Sequence, residues 1–192
     1  MKKKILTVLL LFFGASSSMA EEIEYSVIKQ ESNIEIRQYN KVMIAEIIVK
    51  GKREDAISLA FRPLFKYIQG NNIGRENSSQ KIPMTAPVSH YKAGKDEWKV
   101  QFYMPNTMTE KNTPSPNNTS IKIKTFESQK IAAIRFSGKA NDTSILKHEI
   151  ELKSYLEKNK ISYNPIPIYA YYNSPFSLPF LRRNEILLKI KN

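Results

Sequence analysis

The chain has no cysteine and only two histidines among its 192 residues. The first absence removes disulfides, thiolate metal ligands, a cysteine nucleophile and a lipoprotein attachment site. The second leaves His90 and His148 without a paired ligand spacing around either, which argues against a metalloenzyme. No Gly-x-Ser-x-Gly turn, His-Glu-x-x-His pair or phosphate-cradling glycine loop occurs. A general acid–base pair of carboxylates stays open, since acids are plentiful and no spacing singles one out. No catalytic constellation emerges, and a non-enzymatic protein is expected. Beyond the first few residues there is also no block of like charge. The formal net charge is +12, of which Lys2, Lys3 and Lys4 supply three, leaving +9 for the rest. Those lysines and arginines are scattered among Asn and Ile with no groove-reading motif, so nucleic acid is not an expected partner.

What is present begins with an export signal. Lys2–Lys4 precede a largely apolar run from Ile5 to Ala15, then Ser-Ser-Ser-Met-Ala before Glu21. Ser18 and Ala20 are small residues where a signal peptidase needs them, which predicts cleavage after Ala20. About eleven apolar residues are too few to span a bilayer. The mature protein is thus expected to be periplasmic or secreted, without a transmembrane anchor. Residues 21–192 are long enough for one domain with a substantial core, and a monomer is expected.

Alternation at period two predicts strands over Glu24–Lys29, Ile34–Tyr39 and Trp98–Met104, and β-branched content ending at Gly51-Lys52 predicts another over Val42–Lys50. From Arg53 the period becomes helical, with Ile57, Ala60, Phe61, Leu64 and Ile68 on one face and Gly70 as a stop. Pro63 falls inside that helix and predicts a kink. Lys81–Val88 reads as a strand with Pro83 and Pro87 on one side, and Asn164–Tyr172 repeats the device with Pro165 and Pro167. Strands so marked belong at a sheet edge or the lip of an opening, because proline removes a ladder donor. Asn106–Ser120 lacks periodicity and reads as a mobile connector.

A shift of 87 residues superposes the two halves. Ile34 meets Ile121, Ile44 meets Ile131, Gly51-Lys52 meets Gly138-Lys139, and Leu59 meets Leu146. Each half, about 24–105 and 120–190, reads strand–strand–helix–strand–strand, the second with its helix over Asp142–Lys158. Neither half buries its apolar face alone. The expected fold is α+β: a distorted antiparallel β-barrel of two sheets with two flanking helices, related by a pseudo-twofold internal duplication.

Such a barrel suits a flat apolar ligand, and Phe61, Phe65, Met84, Phe102, Met104, Tyr172 and Phe180 are candidates for lining it or for filling the core. His148 shares a helix face with Ile145, Leu152 and Tyr155, and reads either as a satisfied core histidine or as an iron ligand. His90 has the parity of Met84 and Val88 but is expected at a strand end, in water. Arg182 and Arg183 stand before the final strand, able to meet an anionic group or to brace a turn with Glu185.

Several motifs carry a resemblance. They are Lys66-Tyr67-Ile68-Gln69-Gly70-Asn71-Asn72, Lys81-Ile82-Pro83-Met84-Thr85-Ala86-Pro87-Val88, Phe102-Tyr103-Met104-Pro105 and Phe136-Ser137-Gly138. Above all there is Pro175-Phe176-Ser177-Leu178-Pro179-Phe180-Leu181-Arg182-Arg183-Asn184-Glu185-Ile186. Over essentially its whole mature length the chain resembles the SOUL haem-binding protein family. The resemblance implies a two-sheet distorted barrel and non-covalent binding of haem, or another porphyrin or hydrophobic small molecule, in an apolar pocket near the first helix. It implies no essential axial ligand. It keeps hydrophobic positions at Phe61 and Phe65, and places Ser58 and Leu178 where characterised haem binders carry basic side chains. Phe61, Phe65, Met84, His148 and Arg182 are the cofactor-binding candidates. The alternative is a small-molecule effector or interaction module of the same fold that no longer holds haem.

Overall fold

A computed structural model describes residues 21–191. The predicted leader lies outside the described residues. Nine strands form one sheet: β1 (Tyr25–Glu31), β2 (Ile34–Tyr39), β3 (Val42–Lys50), β4 (Val88–Lys92), β5 (Glu97–Tyr103), β6 (Lys122–Phe126), β7 (Gln129–Phe136), β8 (Ile168–Tyr171) and β9 (Asn184–Lys189). Helix α1 (Arg53–Ile68) follows β3 and α2 (Asp142–Lys158) follows β7. The class is α+β, and the sheet curls into an antiparallel half-barrel.

The spatial order is β6-β3-β5-β4-β8-β9-β7-β2-β1, every neighbour antiparallel. Exchanging each strand of β2–β5 for its counterpart in β6–β9 reads the same order backwards. Register agrees, since a shift of 87 carries the pair Glu46↔Lys122 onto the pair Ala133↔Glu35. The two expected sheets are one, because β4 and β8 pair directly at the middle through Val88↔Tyr171, His90↔Tyr169 and Tyr91↔Ile168. Hydrogen bonding across this seam satisfies two edges that separate sheets would leave open.

The prolines mark where pairing in this sheet begins. Pro87 immediately precedes β4 and Pro167 immediately precedes β8, while Pro83 and Pro165 lie outside any strand. Both strands start at the first residue after the last missing donor. They are central strands and not sheet edges, they line the opening between the two helices, and the proposed run from Lys81 is shortened accordingly. Thr85–Ala86 makes a separate parallel ribbon with Glu21–Glu22.

α1 is one helix through Pro63, buried along Ala56, Ala60, Leu64, Tyr67 and Ile68. That stripe packs on β3 and β5 with Met43, Ala45, Ile47, Val100 and Phe102. α2 opens on an Asn141 cap whose Oδ1 accepts the Ser144 N–H at 2.9 Å. It buries Ile145, Leu152 and Leu156 against Ala132, Ile134, Ile186 and Leu188 of β7 and β9. The opposite face of the sheet buries its own cluster, including Tyr39, Ile44, Tyr103, Phe126, Ile131 and Leu187. The 106–120 connector is tied down. Ser115–Pro116 pairs with Asn72–Ile73, and the Tyr67 hydroxyl donates to the Pro114 carbonyl at 2.8 Å.

Candidate functional site

Each helix covers the outer strands of its own half, so a cleft opens between the helices above the two central strands. Its volume is about 970 Å³, at the upper end of the range for small-molecule sites. One wall is the α1 flank beside the buried stripe, where Ile57, Ser58 and Phe61 recur at helical spacing. The floor is Val88 and His90 of β4 with Tyr171 of β8, extended by Met84 and Ala86. The far wall is the 139–141 segment leading into α2, with the 172–176 segment and Arg182.

Phe61, Met84 and Arg182 therefore come together. Phe61 stacks on Phe65 at 5.5 Å between centroids and meets Phe102 edge-on at 5.5 Å, a pose that holds the ring firmly at the wall. Phe65 backs Phe61 but does not line the cleft. Arg182 donates from Nε to the Ser177 carbonyl (2.9 Å) and from Nη2 to the Pro175 carbonyl (2.6 Å), shaping the loop it belongs to. His148 stands away from the cleft. Its ring stacks on Phe136 at 4.2 Å, and its Nδ1 lies 2.7 Å from the Ser144 carbonyl, the geometry of a satisfied histidine. Phe102 and Met104 fill the core, Tyr172 lines the cleft, and Phe180 is exposed.

Pattern reading missed several residues of the site. Arg53 bridges the starts of the two helices, donating to Asp142 Oδ1 from Nε (2.9 Å) and Nη2 (2.5 Å). With Arg62, Lys139 and Arg182 it gives the cleft four cationic side chains against one acid, Glu54. His90 is the second omission and a correction. It is not in water at a strand end but buried in mid-strand, 1% exposed. Trp98 (5.3 Å), Tyr169 (5.3 Å) and Tyr171 (5.6 Å) surround its ring. Neither ring nitrogen has a hydrogen-bond partner. Burial, then the nearby Arg53 charge, pushes its pKa down to about 3, so the ring is neutral at physiological pH.

A second hollow of about 470 Å³ lies by Gln38, Ser128, Lys130 and Lys189. Its polar lining offers a flat apolar molecule little. Among the described residues no cluster of three His, Asp or Glu side chains could hold a metal ion on its own. No described helix is long and apolar enough to cross a membrane.

The model of the SOUL heme-binding protein family matches residues 20–189. The chain belongs to this family. Heme-binding protein 1 of Mus musculus is 25% identical over 179 residues, covering 92% of this chain and 94% of the relative. Heme-binding protein 2 of Mus musculus is 28% identical over 171 residues, covering 85% and 80% respectively. Among solved structures, the EcmrR C-terminal domain superposes with a TM-score of 0.62 at 12% identity, covering 88% of this chain and 98% of that one, which is a likeness of fold.

Family membership points to haem held without a covalent bond, and the lining of the cleft suits such a group. A porphyrin needs flat apolar contact, which Ile57, Phe61, Met84 and Val88 supply, and counter-charges for its carboxylates, which the four cations supply. The orphaned nitrogens of His90 leave a polar group at the floor with nothing in the protein to bind.

Proposed function

We propose that this SOUL-family chain is an exported, non-catalytic binding protein that holds haem or a related tetrapyrrole in the cleft over the β4–β8 seam. One observation carries this reading: apolar side chains around Phe61 and four cationic side chains line one cleft whose volume is large enough for an amphipathic dianion. Arg53, Arg62, Lys139 and Arg182 would pair with the carboxylates, with Arg favoured for its fork of donors. Haem supplies the ring and the metal. The protein's part is to orient the ring and shed water from it.

Export is supported by the leader pattern and by how residues after Ala20 are used. Ile23 is buried, its N–H donates to the Ala86 carbonyl at 3.1 Å, and Glu22 pairs with Arg183 at 2.8 Å. The folded body thus takes hold within three residues of the expected cut. The matching registers of the two halves support descent from one duplicated unit.

Titrating hemin into the mature protein tests the function, with saturable one-to-one binding tighter than to an unrelated basic protein as the expected result. Phe61→Ala removes an apolar contact of about 1.5–3 kcal/mol, and hemin should bind roughly ten- to a hundredfold more weakly. A second reading is favoured by Ser58, which stands on the cleft wall where the family resemblance places a basic residue: an effector module for another apolar anion. In that case a long-chain carboxylate displaces hemin or binds when hemin does not.

A further inference from the structure

Among the described residues the other buried polar side chains find partners. Asn72 donates to the Tyr67 and Gln80 carbonyls, Gln101 donates to Glu46, Ser89 lies within bonding distance of Gln101 and Tyr103, and Thr85 donates to the Tyr103 carbonyl. Among the described residues His90 is the exception, with both ring nitrogens buried and unpaired. Such a group costs free energy that a phenyl ring in the same aromatic box would not. Packing alone therefore gives no reason for a histidine here.

Its position gives one. His90 and Tyr169 form a directly opposed pair in the middle of the β4–β8 seam, and His90 lines the cleft. The box of Trp98, Tyr169 and Tyr171 fixes the ring plane without taking either nitrogen. With its low proton affinity the ring keeps a free lone pair at neutral pH.

We propose that His90 is an axial ligand of the iron when haem occupies the cleft. One ring nitrogen keeps its proton. The other donates its lone pair to ferric iron in place of a bound water, and no electron is transferred. This rests on the haem-binding reading above, and departs from the family expectation that no axial ligand is essential.

The test is the absorption and electron paramagnetic resonance spectrum of the ferric hemin complex. Wild type, His90→Phe, His90→Gly and His148→Ala would be compared, each checked for folding by circular dichroism. The wild type and His148→Ala should share an imidazole-ligated spectrum. His90→Phe should still bind hemin, within about tenfold of wild type, but lose that spectrum. In His90→Gly, free imidazole should restore it. Saturable binding with an unchanged spectrum in His90→Phe overturns the ligand assignment and leaves the haem site standing. Failure of imidazole to restore the signal in a folded His90→Gly also overturns it. If the wild type shows no saturable hemin binding, the haem reading falls and this inference with it.

Discussion

Arg37 and His90 are buried to the same depth on opposite faces of one sheet. Around Arg37 everything is paired. Its guanidinium donates to Glu185 at 2.7 and 3.0 Å, to Glu35 at 2.7 Å and to the Tyr39 hydroxyl at 2.9 Å. Glu185 also accepts from Arg183 at 2.9 Å and from the Tyr172 hydroxyl at 2.8 Å. Around His90 nothing is paired. A saturated network resists change and braces β2 against β9, whereas an unsaturated ring keeps its bonding capacity for something that arrives later. The two sites separate the part of the protein that makes the fold from the part that uses it.

The largest effect should come from breaking the saturated site. Glu185→Ala strands the Arg37 charge in the interior and should cost about 3–5 kcal/mol in chemical denaturation. Hemin affinity per folded molecule should hardly move. A large affinity loss without a stability loss would erase the distinction between the two sites.

His90→Phe should act in the opposite sense, stabilising the ligand-free protein by roughly 1–2 kcal/mol because an unpaired buried polar group disappears. A destabilised His90→Phe would show that the ring has a structural partner.

Acid sharpens the contrast further. The His90 pKa is lowered from 6.5 to about 3, so between those values the unfolded chain binds the extra proton and stability falls as pH falls. Burial would raise the Glu185 pKa, but its bonds and charges from Arg37, Arg183 and Tyr172 prevail and lower it. Its contribution is present above the ordinary carboxylate value of 4.5 and is lost as pH drops below that. The wild type should thus lose stability in two stages on acidification. His90→Phe should remove the earlier stage, between about pH 6.5 and 4.5, as followed by thermal melts across pH. The smallest effect belongs to His148→Ala, under about 1 kcal/mol, since the ring gives up one hydrogen bond at a half-buried helix surface.

Local pattern revealed most of the frame. Alternation located β2, β-branched content located β3, and the 87-residue repeat placed α2 at Asp142–Lys158. The site was less legible for physical reasons. Whether His90 is buried depends on where its strand starts. Pro87 delays that start to Val88, making His90 an interior residue and not a frayed end. Arg37 lies on the face of β2 that alternation assigns to solvent, yet a curled sheet buries both faces. Phe65 has the right residue type and the same offset from the Ala56–Ala60–Leu64 stripe as Phe61, but it stands one turn farther along α1 and does not line the cleft. Fusion into one sheet and the Arg53–Asp142 bridge join residues about eighty to ninety positions apart, and no local window contains them.

The structure of the mature protein crystallised with hemin tests the account most directly. The porphyrin should lie against Phe61 over the β4–β8 seam, with its iron at bonding distance from a His90 nitrogen and its carboxylates among Arg53, Arg62, Lys139 and Arg182. A ring seated in the polar hollow beside Gln38 and Ser128, or a cleft that stays closed over His90 at saturating hemin, would contradict it.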